Sequence, residues 1–538
     1  MEKTSFILNG LEPCEPIPED LVGKVLLQSL RRDGGDRDAL VDASTGITLS
    51  YNGILEQTCN LAEALRRCGT GPDSINVICS ENNLEYFIPV LACLYLGCTV
   101  VPINHLYTSY ELEYSLELTE PNIIFCSQAT LKNIRKCGEK YLTKLIVIDS
   151  TDDVPGTITL KEFVTEHLNG ISVMSQEFQP FNASNPAKHV AFILSSSGTT
   201  GLPKGVMITH EMILVRIAQS RHPLMISTTE HKVNLGILPF FHVYGMCIGI
   251  TSIVNREILV ILKRFEPNTF LKAIQDYKIT SMSLAPPIIN FLAKSPLLDD
   301  YDLSSVDEVY CGGAPLNASL GEISINRLKI RMIRQIYGLT ETIAITISNP
   351  IDVYNPTSSG KVVPYMKIKI VDQESFEVLG PNQLGEIHVK GPIMKGYYKN
   401  EQATRDSFSP DGWFKTGDLG YYDEDGYLFN VDRLKEMIKY KAHQVAPAEI
   451  EAILINHPSV LDAGVVGIPD DEAGELPLAF VVKQSGIDVT ERELQEYVSQ
   501  KVSPQKRLRG GIIFVSAIPK STSGKILRKE LRKKIGER

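Results

Sequence analysis

The stretch VAFILSSSGTTGLPKG, residues 190–205, decides how the rest of the chain is read. Its first part, VAFILS, is an unbroken apolar run with the length of a buried strand. Its second part is a loop of serines, threonines and glycines that ends in Lys204. A strand opening on such a loop can offer backbone N–H groups, hydroxyls and one ammonium to a polyphosphate. The candidates are Ser195, Ser196, Ser197, Gly198, Thr199, Thr200, Gly201 and Lys204. The loop is not a Walker A sequence: Pro203 precedes Lys204 and Gly205 follows it, so the Gly-x4-Gly-Lys-[Ser/Thr] spacing from Gly198 fails. A flexible surface loop has the same composition, and the segment alone leaves both readings open.

Outward from this strand, similar runs recur. INVICS (75–80), KLIVIDS (144–150), VNLGIL (233–238), EILVIL (257–262) and ITSMSL (279–284) read as further buried strands. Amphipathic stretches such as LEQTCNLAEALRRCG (55–69) and PNTFLKAIQDYK (267–278) lie between them. Buried strands alternating with helices predict an α/β fold of layered, largely parallel sheets. From about residue 366 the texture changes, and MKIKIVD and GEIHVKG alternate with period two, as in a smaller antiparallel or barrel-like unit. A second change falls at Asp432-Arg433-Leu434-Lys435. The remaining C-terminal segment is compact, with the strands VLDAGVVGIPD and PLAFVVK, the helix TERELQEYVSQKV and a basic tail. The expected layout is a large body over 1–432, a joint at 433–435 and a small α+β lid over 436–538, with the site between the two.

Composition narrows the class. The chain has 538 residues, 43% hydrophobic and 22% charged, which is ordinary globular usage. A net charge of −10 argues against broad nucleic-acid or anionic-membrane binding, which needs a concentrated basic surface. The ten cysteines contain no CxxC pair and read as small core residues of a reduced compartment. The longest apolar run, Phe87 to Ile103, contains Pro89, Gly97, Thr99 and Pro102 and reads as a helix and a strand, not a membrane span. The start lacks the layout of a secretory signal and the end reads KKIGER rather than SKL, so a cytosolic enzyme is expected, as a monomer or weak dimer.

Three further clusters carry chemistry. LPFFHVYGM (238–246) places His242 between aromatics, where it could gate a pocket or be a satisfied core histidine. CGGAPL (311–316) ends a strand on Gly312 and Gly313, where backbone can approach a flat ring. QIYGLTET (335–342) sets a ring at Tyr337, a hydroxyl at Thr340 and a hard oxygen ligand for Mg²⁺ at Glu341 within one turn. Together with TGD (416–418), DRLKEMIK (432–439) and PKSTSGK (519–525), these segments resemble the adenylate-forming superfamily. That group holds acyl-CoA synthetases, 4-coumarate–CoA ligases and beetle luciferases. CSENN (79–83), FLKAIQDYKI (270–279), LAKSPLLDDYDLSS (292–305), DEAGELP (471–477) and LRGG (508–511) are most similar to the insect luciferase-like branch.

The resemblance implies ATP-dependent activation of a small carboxylic acid, with ATP and Mg²⁺ as cofactors and coenzyme A as acyl acceptor in the ligases. It implies that Ser195 to Lys204 wraps the β- and γ-phosphates and that Glu341 helps hold Mg²⁺. Tyr337 would stack on adenine beside Gly312, Gly313 and Ala314, in a pocket shared with Gln335 and Gly338, and Thr340 would touch the α-phosphate. Asp418 would accept the ribose hydroxyls with Arg433 nearby, and His242 would sit by the acyl carboxylate. Lys525 would bridge that carboxylate and the α-phosphate. A swing about Lys435 would then exchange Lys525 for Lys439 and the segment Lys441-Ala442-His443.

The chain departs from the family pattern at several places. Ala442 replaces a glycine of the thiol tunnel, Ile336 a glycine before the tyrosine, Ala344 a luciferase serine, and Tyr244 a phenylalanine of the luciferin pocket, while Arg216 matches. These changes favour an apolar acyl pocket, hence a fatty or hydrophobic aryl acid, over a luciferin site. Three readings stand: an acyl-CoA ligase, a luciferase that lets the adenylate react with O₂, and a non-catalytic binder. The residues Lys204, Glu341, Asp418, Arg433 and Lys525 are all present, which leaves the last with little support. If the Ala442 methyl narrows the thiol path, Ala442→Gly raises thioester output and leaves pyrophosphate exchange unchanged, as assays of the two half-reactions would show.

Overall fold

Alternating apolar strands and amphipathic helices resolve, in the computed structural model, into four sheets with helices on their faces. The structure describes residues 6–137, 141, 145–150, 152, 154–196, 203–225, 232–347, 355–441, 443–521 and 524–535. The candidates Ser197, Gly198, Thr199, Thr200, Gly201 and Ala442 lie outside the described residues.

The first sheet runs in the order Gly396–Tyr397, Lys204–Thr209, Val190–Ser196, Thr99–Ile103, Ile75–Cys79, Ile123–Cys126, Leu145–Val147, Ile158–Thr159. From Val190–Ser196 to the far edge its pairs are parallel. The second sheet has a parallel centre, with Ile333–Tyr337, Glu308–Gly312, Ser281–Leu284, Val233–Gly236, Ile258–Ile261 and Asp38–Asp42 side by side. Successive strand residues point to opposite faces, so each sheet feeds two cores. In Ile75–Cys79, Ile78 joins the central core while Val77 and Cys79 join an outer one. In Ile258–Ile261, Leu259 and Ile261 face the centre and Val260 faces out.

Helices Val22–Leu30, Tyr51–Arg67, Phe87–Tyr95, His210–Arg221 and Val243–Asn255 contribute to that central core. Further helices cover the outer faces, which makes a layered α/β body. Phe87 to Ile103 is a buried helix followed by a strand, as the sequence predicts. A third, antiparallel sheet contains Lys367–Val371, Gly385–Lys390, Phe414–Tyr422 and Leu428–Arg433. A fourth pairs Val460–Asp470 with Gly474–Lys483 and encloses a core of its own, including Ile450, Val465, Ala479 and Leu494. The helix expected in TERELQEYVSQKV is Glu491–Ser499, opened by a capping box of Thr490 and Glu493. No described helix is long and apolar enough to cross a membrane, and all ten cysteines are free.

Two features aim the strand ends at a common cleft. Asn82, just past Ile75–Cys79, donates from Nδ2 to the Gly236 and Leu238 carbonyls at 3.3 and 3.0 Å, and its Oδ1 accepts from the Phe240 N–H at 2.9 Å. One buried side chain thereby ties the exit of the first sheet to that of the second. Below it the rings of Tyr86, Phe87 and Phe240 pack with centroids 4.8–5.5 Å apart. Gly249 lets its helix approach this cluster, since a Cβ there would lie 1.9 Å from Phe87 Cζ. Phe87 and its neighbours are fully buried and cannot withdraw. Gly249→Val is therefore expected to cost about 2–3 kcal/mol by overpacking, read as a lower midpoint in thermal or urea unfolding.

Candidate active site

The third sheet meets the second at Asp418. Antiparallel pairing of Phe414–Tyr422 with Leu428–Arg433 sets Asp418 opposite Arg433, and Arg433 Nε lies 3.2 Å from Asp418 Oδ1. Tyr337, the last residue of the strand Ile333–Tyr337, donates its hydroxyl to Asp418 Oδ2 at 2.8 Å. Burial pushes the Asp418 carboxyl up from its ordinary value, opposed by the charge of Arg433, the Tyr337 hydroxyl and the charge of Lys525. Burial likewise pushes the Tyr337 phenol up.

Lys525 comes from the small domain. It sits in a tight turn in which the Ser521 N–H donates to the Lys525 carbonyl at 2.8 Å and the Lys525 N–H donates to Ser521 Oγ at 3.1 Å. Gly524 makes the turn possible with a φ of +84°. The ammonium feels Asp418 and Glu341 as attractive charges and Arg433 as a repulsive one, and burial outweighs them, pushing its pKa down to about 8. His242 is pushed down to about 4 by burial first and by the Lys525 charge second. Its Nδ1 accepts from the Tyr244 N–H at 3.3 Å, so the neutral ring carries its proton on Nε2, free for an anionic oxygen.

Glu341 is buried and accepts the Tyr397 hydroxyl on Oε1 at 3.0 Å. The ring of Tyr397 in turn carries Lys204 Nζ at 4.7 Å from its centroid. Tyr397 belongs to a two-residue strand that pairs with Lys204–Thr209. Reasoning from sequence misses it, although Gly396-Tyr397 is a glycine–aromatic pair whose glycine takes a φ of +146°. Ser196 stands opposite Lys204 in the antiparallel pair of Val190–Ser196 with Lys204–Thr209, and the Tyr107 phenol lies against Ser195. Among the described residues no group of three His, Cys, Asp or Glu could hold a metal by itself. Glu341 with one oxygen engaged fits a Mg²⁺ that keeps waters and draws its other ligands from substrate phosphates.

The remaining candidates are placed as follows. Gly312 ends its strand where a Cβ would lie 3.1 Å from the Ile336 carbonyl oxygen and 3.2 Å from Tyr244 Cε1, and Gly313 comes next with a φ of +88°. Ala314, Ile336, Thr340, Tyr244 and Arg216 are half-buried and Ala344 is buried. Burial pushes the Tyr244 phenol up, with the Ser283 hydroxyl, the Cys311 thiol and the Arg216 charge acting on it. Gly338 gives room to the Ile343 carbonyl, which a Cβ would approach to 1.8 Å. Ile343 itself holds a φ of +61°, a strained conformation for a β-branched residue beside the site. Gln335 donates to the Pro356 and Ser358 carbonyls at 2.8 and 3.0 Å and anchors the adjoining loop. Lys435, Lys439, Lys441 and His443 are solvent-exposed and are not part of the cluster. The Lys439 N–H donates to Glu475 Oε2 at 2.8 Å.

Lys525, Arg433 and Lys204 thus converge with one neutral imidazole and two carboxylates at the mouth of parallel sheets. That arrangement suits a nucleotide polyphosphate next to a second anion, the equipment of an adenylate-forming enzyme. Residues 27–398 match the model of the AMP-binding enzyme family and residues 449–525 that of the AMP-binding enzyme C-terminal domain, and the chain belongs to this family. The luciferin 4-monooxygenase of Photuris pensylvanica is 41% identical over 98% of this chain and 97% of its own. The 4-coumarate–CoA ligase-like 9 of Arabidopsis thaliana is 39% identical over 92% of this chain and 86% of its own. The solved structure of a red-emitting luciferase from Phrixothrix hirtus superposes with a TM-score of 0.74 at 39% identity, covering 99% of both chains.

The electrostatics give a test that needs no substrate. Between about 8 and its ordinary value Lys525 is neutral when folded and charged when unfolded. The unfolded chain then binds more protons, and this group makes stability rise with pH across that window. Asp418→Asn removes a charge that holds the ammonium protonated, so the Lys525 midpoint moves further down. The pH dependence of Lys525 acylation, read by peptide mass spectrometry, checks this, and an unmoved or raised midpoint contradicts it.

Proposed function

We propose that the chain joins a hydrophobic carboxylic acid to ATP, giving acyl-AMP and pyrophosphate, and then transfers the acyl group to the thiol of coenzyme A. The observation that carries this reading is the delivery of Lys525 from the small domain to Asp418, Glu341 and His242 of the large one. Attack of a carboxylate on a triphosphate opposes two anions, and a desolvated ammonium between them lowers that barrier most. The Nε2–H of His242 orients the acyl carboxylate. Lys204 and the serines at the head of the loop bind the β- and γ-phosphates, and Asp418 the ribose hydroxyls. Tyr337, Gly313 and Ala314 enclose the adenine. Glu341 would hold a Mg²⁺ ion, which would supply positive charge to the phosphates.

The second step requires another pose. We place the domain joint at 433–435, between a body over 1–432 and a lid over 436–538. Rotation about Lys435 withdraws Lys525 and brings in the exposed Lys439, Lys441 and His443. Ile336, Tyr244 and Ala344 give the acyl side bulk and few polar atoms, in keeping with a fatty or hydrophobic aryl acid. The alternative is a luciferase that spends the adenylate on O₂, favoured by the several luciferin 4-monooxygenases at 40–42% identity over nearly the full length.

Incubation with ATP, Mg²⁺, coenzyme A and a panel of lauric, oleic and 4-coumaric acids and D-luciferin, with light recorded in parallel, separates the two. Acyl-CoA with AMP and pyrophosphate supports the ligase, whereas light with little thioester supports the luciferase. Lys525→Ala is expected to lower acyl-AMP formation by at least about 100-fold, the scale of one lost transition-state contact. The same variant leaves transfer from supplied acyl-AMP largely intact, and Lys439→Ala does the reverse. Equal losses in both half-reactions for both variants would sink the two-pose mechanism.

A further inference from the structure

One helix of the large domain meets the small domain along its whole length. In Pro286–Lys294 the residues Pro287, Asn290 and Lys294, spaced i, i+3 and i+7, share one face. At the start of that face, Pro287 faces the turn that carries Lys525: a Cβ on Gly524 would lie 3.0 Å from Pro287 Cδ and 3.2 Å from Ala285 Cβ. In the middle, Asn290 Nδ2 donates to the Leu461 carbonyl at 3.1 Å. At the end, Lys294 Nζ donates to the Val460 carbonyl at 2.9 Å and the Ile455 carbonyl at 3.4 Å. Nearby, Asn317 Nδ2 donates to the Ala452 carbonyl at 3.0 Å and the Ser319 hydroxyl donates to Asn456 Oδ1.

The backbone acceptors fall into two neighbouring groups. Ala452 and Ile455 belong to the last turn of Pro447–Ile455, and Val460 and Leu461 to the start of the next strand. The final carbonyls of a helix lack full intrahelical partners and form the negative end of its dipole. The Lys294 ammonium at the Ile455 carbonyl makes a charge-assisted cap supplied from the other domain, and its shorter bond goes to the Val460 carbonyl at the start of the strand. Every one of these bonds runs from a side chain on the large domain to the small one, so a rotation of the small domain breaks them together.

We propose that Lys294, helped by Asn290, is a positioning residue for acid activation: it latches the small domain in the pose that holds Lys525 in the site, and the latch must open before the second step. This rests on the two-step reaction proposed for the chain. The latch acts on the population of poses and touches no reacting atom.

The test uses the full-length Lys294→Met, which keeps the apolar stem, and Asn290→Ala, on a partly exposed position, in case the first folds poorly. Lys294→Met is expected to slow acid-dependent ATP–pyrophosphate exchange about tenfold, the scale of losing one charged hydrogen bond. Consumption of supplied acyl-AMP with coenzyme A stays level or rises, and Lys294→Arg restores most of the exchange. Hydrogen–deuterium exchange of the amides in 286–294 and 447–461 reads the dock without any substrate and becomes faster in both variants. Equal loss in both half-reactions, or unchanged pyrophosphate exchange, overturns the latch. Unmodified protein that gives no pyrophosphate exchange with any acid overturns acid activation instead. The amide exchange then decides the latch alone, unchanged rates in 286–294 and 447–461 refuting it.

Discussion

A charged ammonium leaves water only where opposite charge receives it, and that constraint organises this molecule. Lys525 is partly enclosed, and the groups that keep its proton on, Asp418 and Glu341, belong to the other domain. Their own positions are fixed by neutral donors, Tyr337 on Asp418 and Tyr397 on Glu341. Removing either tyrosine hydroxyl would leave a buried carboxylate short of a partner, which costs more than the bond itself contributes. The two domains therefore meet at a point where each one's charges would be poorly placed alone. In the proposed reaction the phosphates of ATP would add negative charge around the ammonium there and favour its protonated form.

The parallel sheets make the cleft to which this charge is delivered. Strands buried on both faces leave only their ends free for chemistry, and two of the ends here finish in glycine, at Gly312-Gly313 and Tyr337-Gly338. Asn82 makes the two sheets open on one site rather than two, because its amide serves backbone groups from Gly236 to Phe240. The strained Ile343, with the glycine that makes room for its carbonyl, sits in the same turn as Thr340 and Glu341. Strain held by surrounding packing restricts that turn, which suits the Mg²⁺-holding role proposed for Glu341.

Much of this is legible in the residues. Continuous β-branched runs mark the strands Ile75–Cys79, Val190–Ser196 and Ile258–Ile261, because burial on two faces leaves no other economical pattern. The cluster of Lys525, Asp418, Arg433, Glu341 and His242 can be expected only through the family resemblance. These residues lie up to 283 positions apart (from 242 to 525), and spacing carries no information about contacts across a domain boundary. Tyr397 escapes notice for a related reason: a tyrosine in a two-residue strand has no periodicity, and its role emerges only when Lys204 and Glu341 are both in view. The contacts of Lys294 are equally invisible, since their acceptors are backbone carbonyls and every residue has one.

Contacts of that kind bear on how the proposed two-pose enzyme could be built at all. The small domain encloses its own apolar core, around Ile438, Val465, Ala479 and Leu494, so it can turn as a unit with that core intact, while a small cluster of Leu419, Met437 and Ala446 crosses the joint. The bonds of its dock on Pro286–Lys294 join polar side chains to backbone carbonyls, and water replaces each of them at small net cost when the domains part. An apolar dock of the same size would hold one pose more firmly, but its burial would oppose every rotation by its full area. Polar contacts also demand direction, so they define one orientation while contributing little to its depth. A shallow, well-oriented minimum suits the two-step reaction proposed here, in which the same domain serves one reaction with Lys525 and then exposes the site to another.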